Sequence, residues 1–339
     1  MKTFLLSPFY PVADKLDTSH RAGWARYWTR ALGEVEVKPT LLTTATMPAL
    51  DQAKKGDIIY CYHGMEWGGA MNLQSGLTNE IIARADRLVD AKKRGVKLVS
   101  LDIPMPSYGK LLEARGYARS EHLTAALAKQ GYLRVPNERA AHVIMGDSHA
   151  LSQYVPGAVI YRTDGQTLHG AMLVGLEKRL ENWAFETAVE LESLSKLTSY
   201  FGNIDIRHHI CRLPDPGKAI KDLIDEYGKQ LNSIRNSNNI SEIEVVLPLH
   251  IESEDRVLPK TGWYKGTPFF GTWSERHQVK IAMMTRIKAM AKKHGFAVVD
   301  HPKHFLMRNG QLDFAVMETP RSVHIRPSEY RLIQEGMTW

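Results

Sequence analysis

The chain has very little cysteine: Cys61 and Cys211 are the only two in 339 residues. They stand far apart and in no Cys-x-x-Cys or Cys/His spacing, which argues against a disulfide framework or a cysteine-built zinc site and for a reducing compartment. Long apolar runs are missing as well. No stretch reaches the roughly 18 apolar residues of a membrane helix. The opening run Thr3-Phe4-Leu5-Leu6 is cut off by Pro8 and Pro11 before a signal-peptide core develops, so it reads as a first β-strand. The expectation is a soluble, cytoplasmic chain without a membrane partner. Glycine-rich phosphate loops are also lacking. The first strand is followed by no dinucleotide fingerprint, and His63-Gly64-Met65-Glu66-Trp67-Gly68-Gly69 has neither the lysine nor the spacing of a P-loop. His149, His169, His208 and His209, with Asp147 or Asp205, form no helical His-x-x-x-His pair and no compact mixed cluster. Neither a metal nor an organic cofactor is therefore expected.

The composition is that of an ordered globular protein, with 43% apolar and 24% charged residues. The length favours two domains or one large α/β unit. A formal net charge of +7 suits anionic partners such as nucleic acid, phosphorylated metabolites or anionic glycans, and no motif chooses among them. The basic clusters Lys92-Lys93-Arg94 and Lys292-Lys293 fall at the ends of predicted helices, where cations oppose the negative end of the helix dipole.

Apolar runs alternate with amphipathic stretches along the whole chain. In residues 1–135, strands are predicted at Thr3–Leu6, Thr40–Leu42, Asp57–Tyr62 and Val96–Leu101, with helices over Ala22–Leu32, Asn79–Lys93 and Tyr108–Gln130. Trp24 and Trp28, one helical turn apart, read as a core stripe. This half is expected to be a Rossmann-like α/β domain, in architecture only. Beyond Pro136 the alternation resumes. Strands are predicted at His142–Met145, Ala158–Arg162, Lys196–Phe201, Glu242–Pro248 and Phe296–Asp300. The helices between them span Leu173–Leu194, Gly217–Ile234 and Ser274–His294, and a last one starts at Pro327. Residues 136–339 thus form a second α/β unit whose loops at the strand ends can carry a site.

Four short segments sit at such strand ends. Gly146-Asp147-Ser148-His149 follows the first strand of the second unit, where a serine can project beside a free backbone N–H; taken alone, the string also suits a helix N-cap. Thr163-Asp164-Gly165-Gln166-Thr167 follows the second strand, with a glycine at a tight turn. Tyr200-Phe201-Gly202-Asn203-Ile204-Asp205 follows the third. Ser322-Val323-His324-Ile325-Arg326-Pro327 comes near the end of the chain. In this order the segments resemble the SGNH/GDSL hydrolases, esterases and acyl-transferring relatives built on a flavodoxin-like sheet flanked by helices. The resemblance covers about 140–335. It implies that Ser148 is the nucleophile, that the N–H groups of Ser148 and Gly165 and the side-chain amide of Asn203 form the oxyanion hole, and that His324 is the general base. The run Gly202-Asn203-Ile204-Asp205-Ile206-Arg207-His208-His209 is similar to some members too, without a chemical role assigned to it.

One position departs from the family. The aspartate usually found three residues before the histidine is Arg321 here. That aspartate would hold the imidazole tautomer and stabilise the imidazolium. Glu318, Asp313 and Asp300 are the nearby substitutes, Glu318 the first choice; a Ser–His dyad, or a ring oriented by a backbone carbonyl, would also do. The resulting expectation is a serine-dependent acyl-ester hydrolase or acyltransferase acting on an acylated carbohydrate or related small substrate. Arg321 keeps a second reading open, in which a catalytically silent scaffold binds glycan, nucleotide or nucleic acid. A third is a two-domain transferase whose first half holds a nucleotide-linked donor. The aromatic segment Gly262-Trp263-Tyr264-Lys265-Gly266-Thr267-Pro268-Phe269-Phe270-Gly271 can stack on a sugar or base, or staple a strand to a helix.

Overall fold

The computed structural model describes residues 1–7, 26–27, 29–30, 36–39, 48–61, 87, 90–100, 140–162, 166–187, 190–257, 266, 269–318 and 323–337. The chain divides into two compact units. One comprises Met1–Glu138 with Ala184–Val189 and Trp339; the other comprises Arg139–Trp183 with Glu190–Thr338.

The first unit is built on four parallel strands: β1 (Thr3–Ser7), β2 (Glu36–Pro39), β3 (Ile58–Cys61) and β4 (Lys97–Ser100), in the order β2-β1-β3-β4. A short helix, α1 (Pro48–Gln52), precedes β3. Phe4, Leu5 and Ile59 are fully buried at its centre. The strand Glu36–Pro39 is not among those predicted from the sequence. Glu36-Val37-Lys38-Pro39 pairs with Phe4–Ser7 at the edge of the sheet, where charged residues and a proline are tolerated because one side of the strand has no ladder to complete. Thr40–Leu42 and the helix expected over Tyr108–Gln130 lie outside the described residues, as do Trp24 and Trp28.

The second unit is a five-stranded parallel sheet: β5 (His142–Gly146), β6 (Ala158–Arg162), β7 (Lys196–Tyr200), β8 (Glu242–Val246) and β9 (Ala297–Val299), ordered β6-β5-β7-β8-β9. In the unit's own count this is 2-1-3-4-5, the flavodoxin-like order. Helices connect and flank the strands, so β5, β7 and β8 are buried beyond their first residues; β5 reads as an apolar run, while β7 and β8 carry Thr198, Ser199 and Glu244 among their buried residues. The connecting helices are α2 (Leu168–Val174), α3 (Leu176–Thr187), α4 (Pro216–Ser237) and α5 (Trp273–His294). Capping explains where the long ones start. Asp215 accepts from the Lys218 N–H ahead of Pro216, and Thr272 with Glu275 forms a reciprocal capping box. The two helices pack against each other.

Two helix expectations need correction. The helix predicted over Leu173–Leu194 begins inside α2, is broken at Gly175 (φ 92°) and continues as α3, described as far as Thr187, while Leu191–Ser193 is a 3-10 turn. The last helix does not run from Pro327. Pro327–Glu329 is a 3-10 turn, Tyr330 is extended and buries its ring completely, and only α6 (Arg331–Gln334) is helical.

In this strand order β5 lies between β6 and β7, so connections leave in opposite directions from neighbouring strands. The crevice beyond their carboxyl ends is the topological switch point at which open α/β sheets bind ligands. The segments after β5 and β7 both begin there.

Candidate active site

Ser148 is placed by a turn that begins at Gly146. A side chain at 146 would put its Cβ 2.4 Å from the Tyr200 carbonyl oxygen, so glycine is what lets β5 and β7 stay this close at their ends. The Asp147 N–H donates to that same carbonyl at 3.1 Å. The chain then turns into a 3-10 segment, Ala150–Gln153, which carries no side-chain cap. The Ser148 hydroxyl is therefore not spent as a cap. It faces the imidazole of His324, with Oγ 2.9 Å from Nε2.

Both His324 and the carboxylate behind it come from the chain end. Met317 and Ile325 form an antiparallel bridge, and on either side of it the Glu318 N–H donates to the His324 carbonyl at 2.9 Å and the Arg326 N–H to the Val316 carbonyl at 3.0 Å. Residues 318 and 324 are thus cross-strand neighbours, whose side chains emerge on one face. Glu318 Oε1 lies 3.3 Å from His324 Nδ1. The other two carboxylates considered from the sequence are engaged elsewhere. Asp313 accepts from the Ala315 N–H, and Asp300 accepts from the His301 N–H and pairs with Lys288. Arg331 anchors this terminal segment to the sheet by donating to Glu244 at 2.7 Å.

Asp147 lies under the serine and is completely buried. Burial pushes its carboxyl up, but the His149 ring and the hydrogen bonds from that ring, from the His149 N–H and from Asn203 outweigh it and hold Asp147 below the usual carboxylate range. His149 Nδ1 meets Asp147 Oδ1 at 2.9 Å, and His149 Nε2 meets the Val323 carbonyl at 2.9 Å. Both ring nitrogens of His149 are thus taken up by acceptors. His149 consequently does not face Ser148, and the imidazole that does is His324.

Asn203 sits at the end of β7, also buried. Its Oδ1 accepts from the Leu249 N–H at 2.8 Å, which settles the orientation of the amide and turns the NH2 group toward Asp147 Oδ2, 3.4 Å away. The next residues tie down the surrounding loops. Asp205 accepts from the N–H groups of Leu168 (2.7 Å) and His169 (3.1 Å), fastening the start of α2 to the segment after β7. Burial raises the Asp205 carboxyl, and those two bonds offset only part of the rise. Arg207 donates from Nε to both oxygens of Glu252, at 2.8 and 3.0 Å, joining the turn after β7 to the segment after β8. Burial would raise Glu252, yet Arg207 and Arg256 bring it down to about 2. Within the run from Gly202 to His209, Asp205 and Arg207 thus act as braces between loops.

Among the residues expected from the sequence, the structure brings Ser148, His324 and Glu318 into one hydrogen-bonded line and places Asn203 beside the turn that carries the serine. Gly165 and Arg321 lie outside the described residues. Among the described residues no group of three or more His, Cys, Asp or Glu is arranged to hold a metal, and no helix is long and apolar enough to cross a membrane. On sequence grounds Asp147 suits only a helix cap, and His149 has no structural role. The Asp-x-His spacing hints that carboxylate and ring of one turn can meet, but the second acceptor of that ring is 174 residues away.

No protein-family model matches the chain, and no curated protein does. It is similar to several solved structures. A GDSL-like lipase from Bacteroides thetaiotaomicron is 16% identical, with a TM-score of 0.42, over 63% of this chain and 94% of that one. An alpha/beta hydrolase from the metagenome of Lake Arreo is 13% identical, with a TM-score of 0.29, over 47% and 75%. A catalytic mutant of an acetylxylan esterase from Geobacillus stearothermophilus is 15% identical, with a TM-score of 0.27, over 47% and 74%.

Proposed function

We propose that the second unit is a serine-dependent acyl-ester hydrolase or acyltransferase of the SGNH type, with Ser148, His324 and Glu318 as its triad. The observation that carries this reading is the line from Ser148 Oγ to His324 Nε2 at 2.9 Å and from His324 Nδ1 to Glu318 Oε1 at 3.3 Å. A hydroxyl, a base within hydrogen-bond reach and a carboxylate orienting that base are the parts that nucleophilic acyl transfer requires.

In the first half-reaction His324 Nε2 takes the Ser148 proton while Oγ bonds to the acyl carbon. The carbonyl electrons move onto oxygen, held by the N–H groups of Ser148 and Gly165 and by the Asn203 amide. The oxyanion collapses, the ester bond breaks, and His324 returns the proton to the leaving alkoxide. In the second half water, or an acceptor hydroxyl, gives its proton to His324 and adds to the acyl carbon; Ser148 is regenerated and the acid, or the new ester, leaves. Glu318 balances the positive charge that His324 carries between these transfers. With a carboxylate at this place, Arg321 does not leave the base unsupported, and the catalytic reading is preferred to that of a silent binding scaffold.

The substrate class is an acylated carbohydrate or a related small ester. In support, the Phe270 N–H donates to the Arg207 carbonyl at 2.7 Å, which holds Phe270 against the turn just beyond Asn203. The Phe270 ring is exposed, with the Arg212 guanidinium 4.7 Å from its centroid, and an exposed ring is a stacking surface for a sugar. The test is the release of p-nitrophenol from p-nitrophenyl acetate. A first-turnover burst that disappears in Ser148→Ala and in His324→Ala supports the reading; equal rates in all three proteins refute it.

A further inference from the structure

We infer that His149 is a positioning residue for the base: by clamping the Val323 carbonyl to Asp147 it sets the place from which His324 reaches Ser148. This rests on the triad reading above and adds a residue to it.

The inference follows from peptide geometry. The Val323 carbonyl, the following N–H and the Cα of His324 belong to one rigid planar unit. A bond of 2.9 Å from His149 Nε2 to that oxygen therefore fixes the plane on the N-terminal side of His324. The plane on the C-terminal side is fixed by the His324 carbonyl, which accepts from the Glu318 N–H at 2.9 Å. With both flanking planes held, the imidazole keeps only its own side-chain rotations. Those are met by Glu318 on one nitrogen and Ser148 on the other, and by the His149 ring itself, whose centroid is 5.1 Å away.

The clamp is rigid at its far end as well. Asp147 takes the His149 N–H at 2.8 Å and the ring Nδ1 at 2.9 Å, and its own N–H is bound to the Tyr200 carbonyl at the end of β7. The serine lies between the two residues of this clamp in sequence. Nucleophile and base, 176 residues apart, are therefore referred to the same fixed point on the sheet. The clamp needs two donors on opposite edges of a flat, stiff side chain, and histidine provides them.

The two amide side chains separate the two bonds. Asparagine at 149 keeps a donor near the place of Nδ1 and loses the reach to Val323; glutamine puts its donor near the place of Nε2 and loses Asp147. If the Val323 bond is what positions the base, His149→Asn lowers kcat and the rate of fluorophosphonate labelling of Ser148 by about 100-fold, the penalty expected of a misplacement near 1 Å, while KM changes little. His149→Gln recovers most of the loss, whatever its effect on thermal stability. Amide exchange over residues 316–326 rises in His149→Asn and stays near wild type in His149→Gln.

A purely structural partnership with buried Asp147 gives the reverse order, with Asn better than Gln, and that result overturns the inference. So does wild-type labelling in both variants. Should His149→Asn not fold, folded His149→Gln decides the matter: retained labelling supports the clamp, and loss of it does not. A wild-type protein that neither labels nor hydrolyses esters refutes the triad alone, because amide exchange still reads the tether.

Discussion

Glu318 stands across an antiparallel pairing from His324, its carboxylate 3.3 Å from Nδ1 while its own N–H holds the His324 carbonyl. One residue thus grips the base by side chain and by backbone. The side-chain contact can be removed without the backbone one. Glu318→Gln is expected to lower kcat by at least about 100-fold, within the roughly 10⁴-fold that loss of a triad carboxylate costs in a serine protease. Steady-state kinetics on p-nitrophenyl acetate, with the melting temperature as control, checks it; an unchanged kcat would remove Glu318 from the mechanism.

Gly146→Ala tests the approach of β5 to β7. The added Cβ meets a backbone oxygen at 2.4 Å, with no flexible side chain to give way. Strain of this kind costs about 1–3 kcal/mol, so urea denaturation should show a lower midpoint, and Ser148 labelling should slow with the displaced turn. A variant as stable and as reactive as the wild type would mean that the ends of the two strands are further apart than described.

A buried lysine gives a prediction in pH. The Lys280 ammonium on α5 is almost wholly enclosed, with His250 Nδ1 at 2.6 Å as its hydrogen-bond partner, and burial lowers it to about 8 from the usual 10.5. The folded chain binds this proton less tightly than the unfolded one. The resulting penalty is full below pH 8, shrinks as pH rises from 8 to 10.5, and is gone above. A displacement of this size corresponds to about 3 kcal/mol at most. Lys280→Met is expected to be more stable than wild type at pH 7, with the gap closing between pH 8 and 10.5; a gap that is constant with pH would contradict it.

What was legible in the chain, and what was not, follows from how each feature is encoded. In the second unit His142–Gly146 is legible as a buried apolar run, whereas Lys196–Tyr200 and Glu242–Val246 mix Thr198, Ser199 and Glu244 with apolar residues and Ala297–Val299 is largely exposed, so those strands show only as short β-branched or aromatic stretches between helices. The edge strand Glu36–Pro39 hides its role behind charges and a proline. Gly175 was read as helix interior because periodicity continues through it, while its backbone does not. At the site, Ser148, Asn203 and His324 are grouped by the resemblance of their segments, in that order, to the blocks of the SGNH/GDSL hydrolases. The contact of Glu318 with His324 depends on a chain reversal between them, and the contact of His149 with Val323 joins opposite ends of the unit. Neither leaves a periodic trace in the sequence.

Intact-mass and peptide analysis after reaction with a fluorophosphonate probe tests the central claim most directly, because the adduct forms only on a serine with an activated hydroxyl. The expected result is one adduct per chain, on Ser148, absent in Ser148→Ala and strongly slowed in His324→Ala. A folded wild-type protein that stays unmodified, or one labelled equally fast without His324, would contradict it.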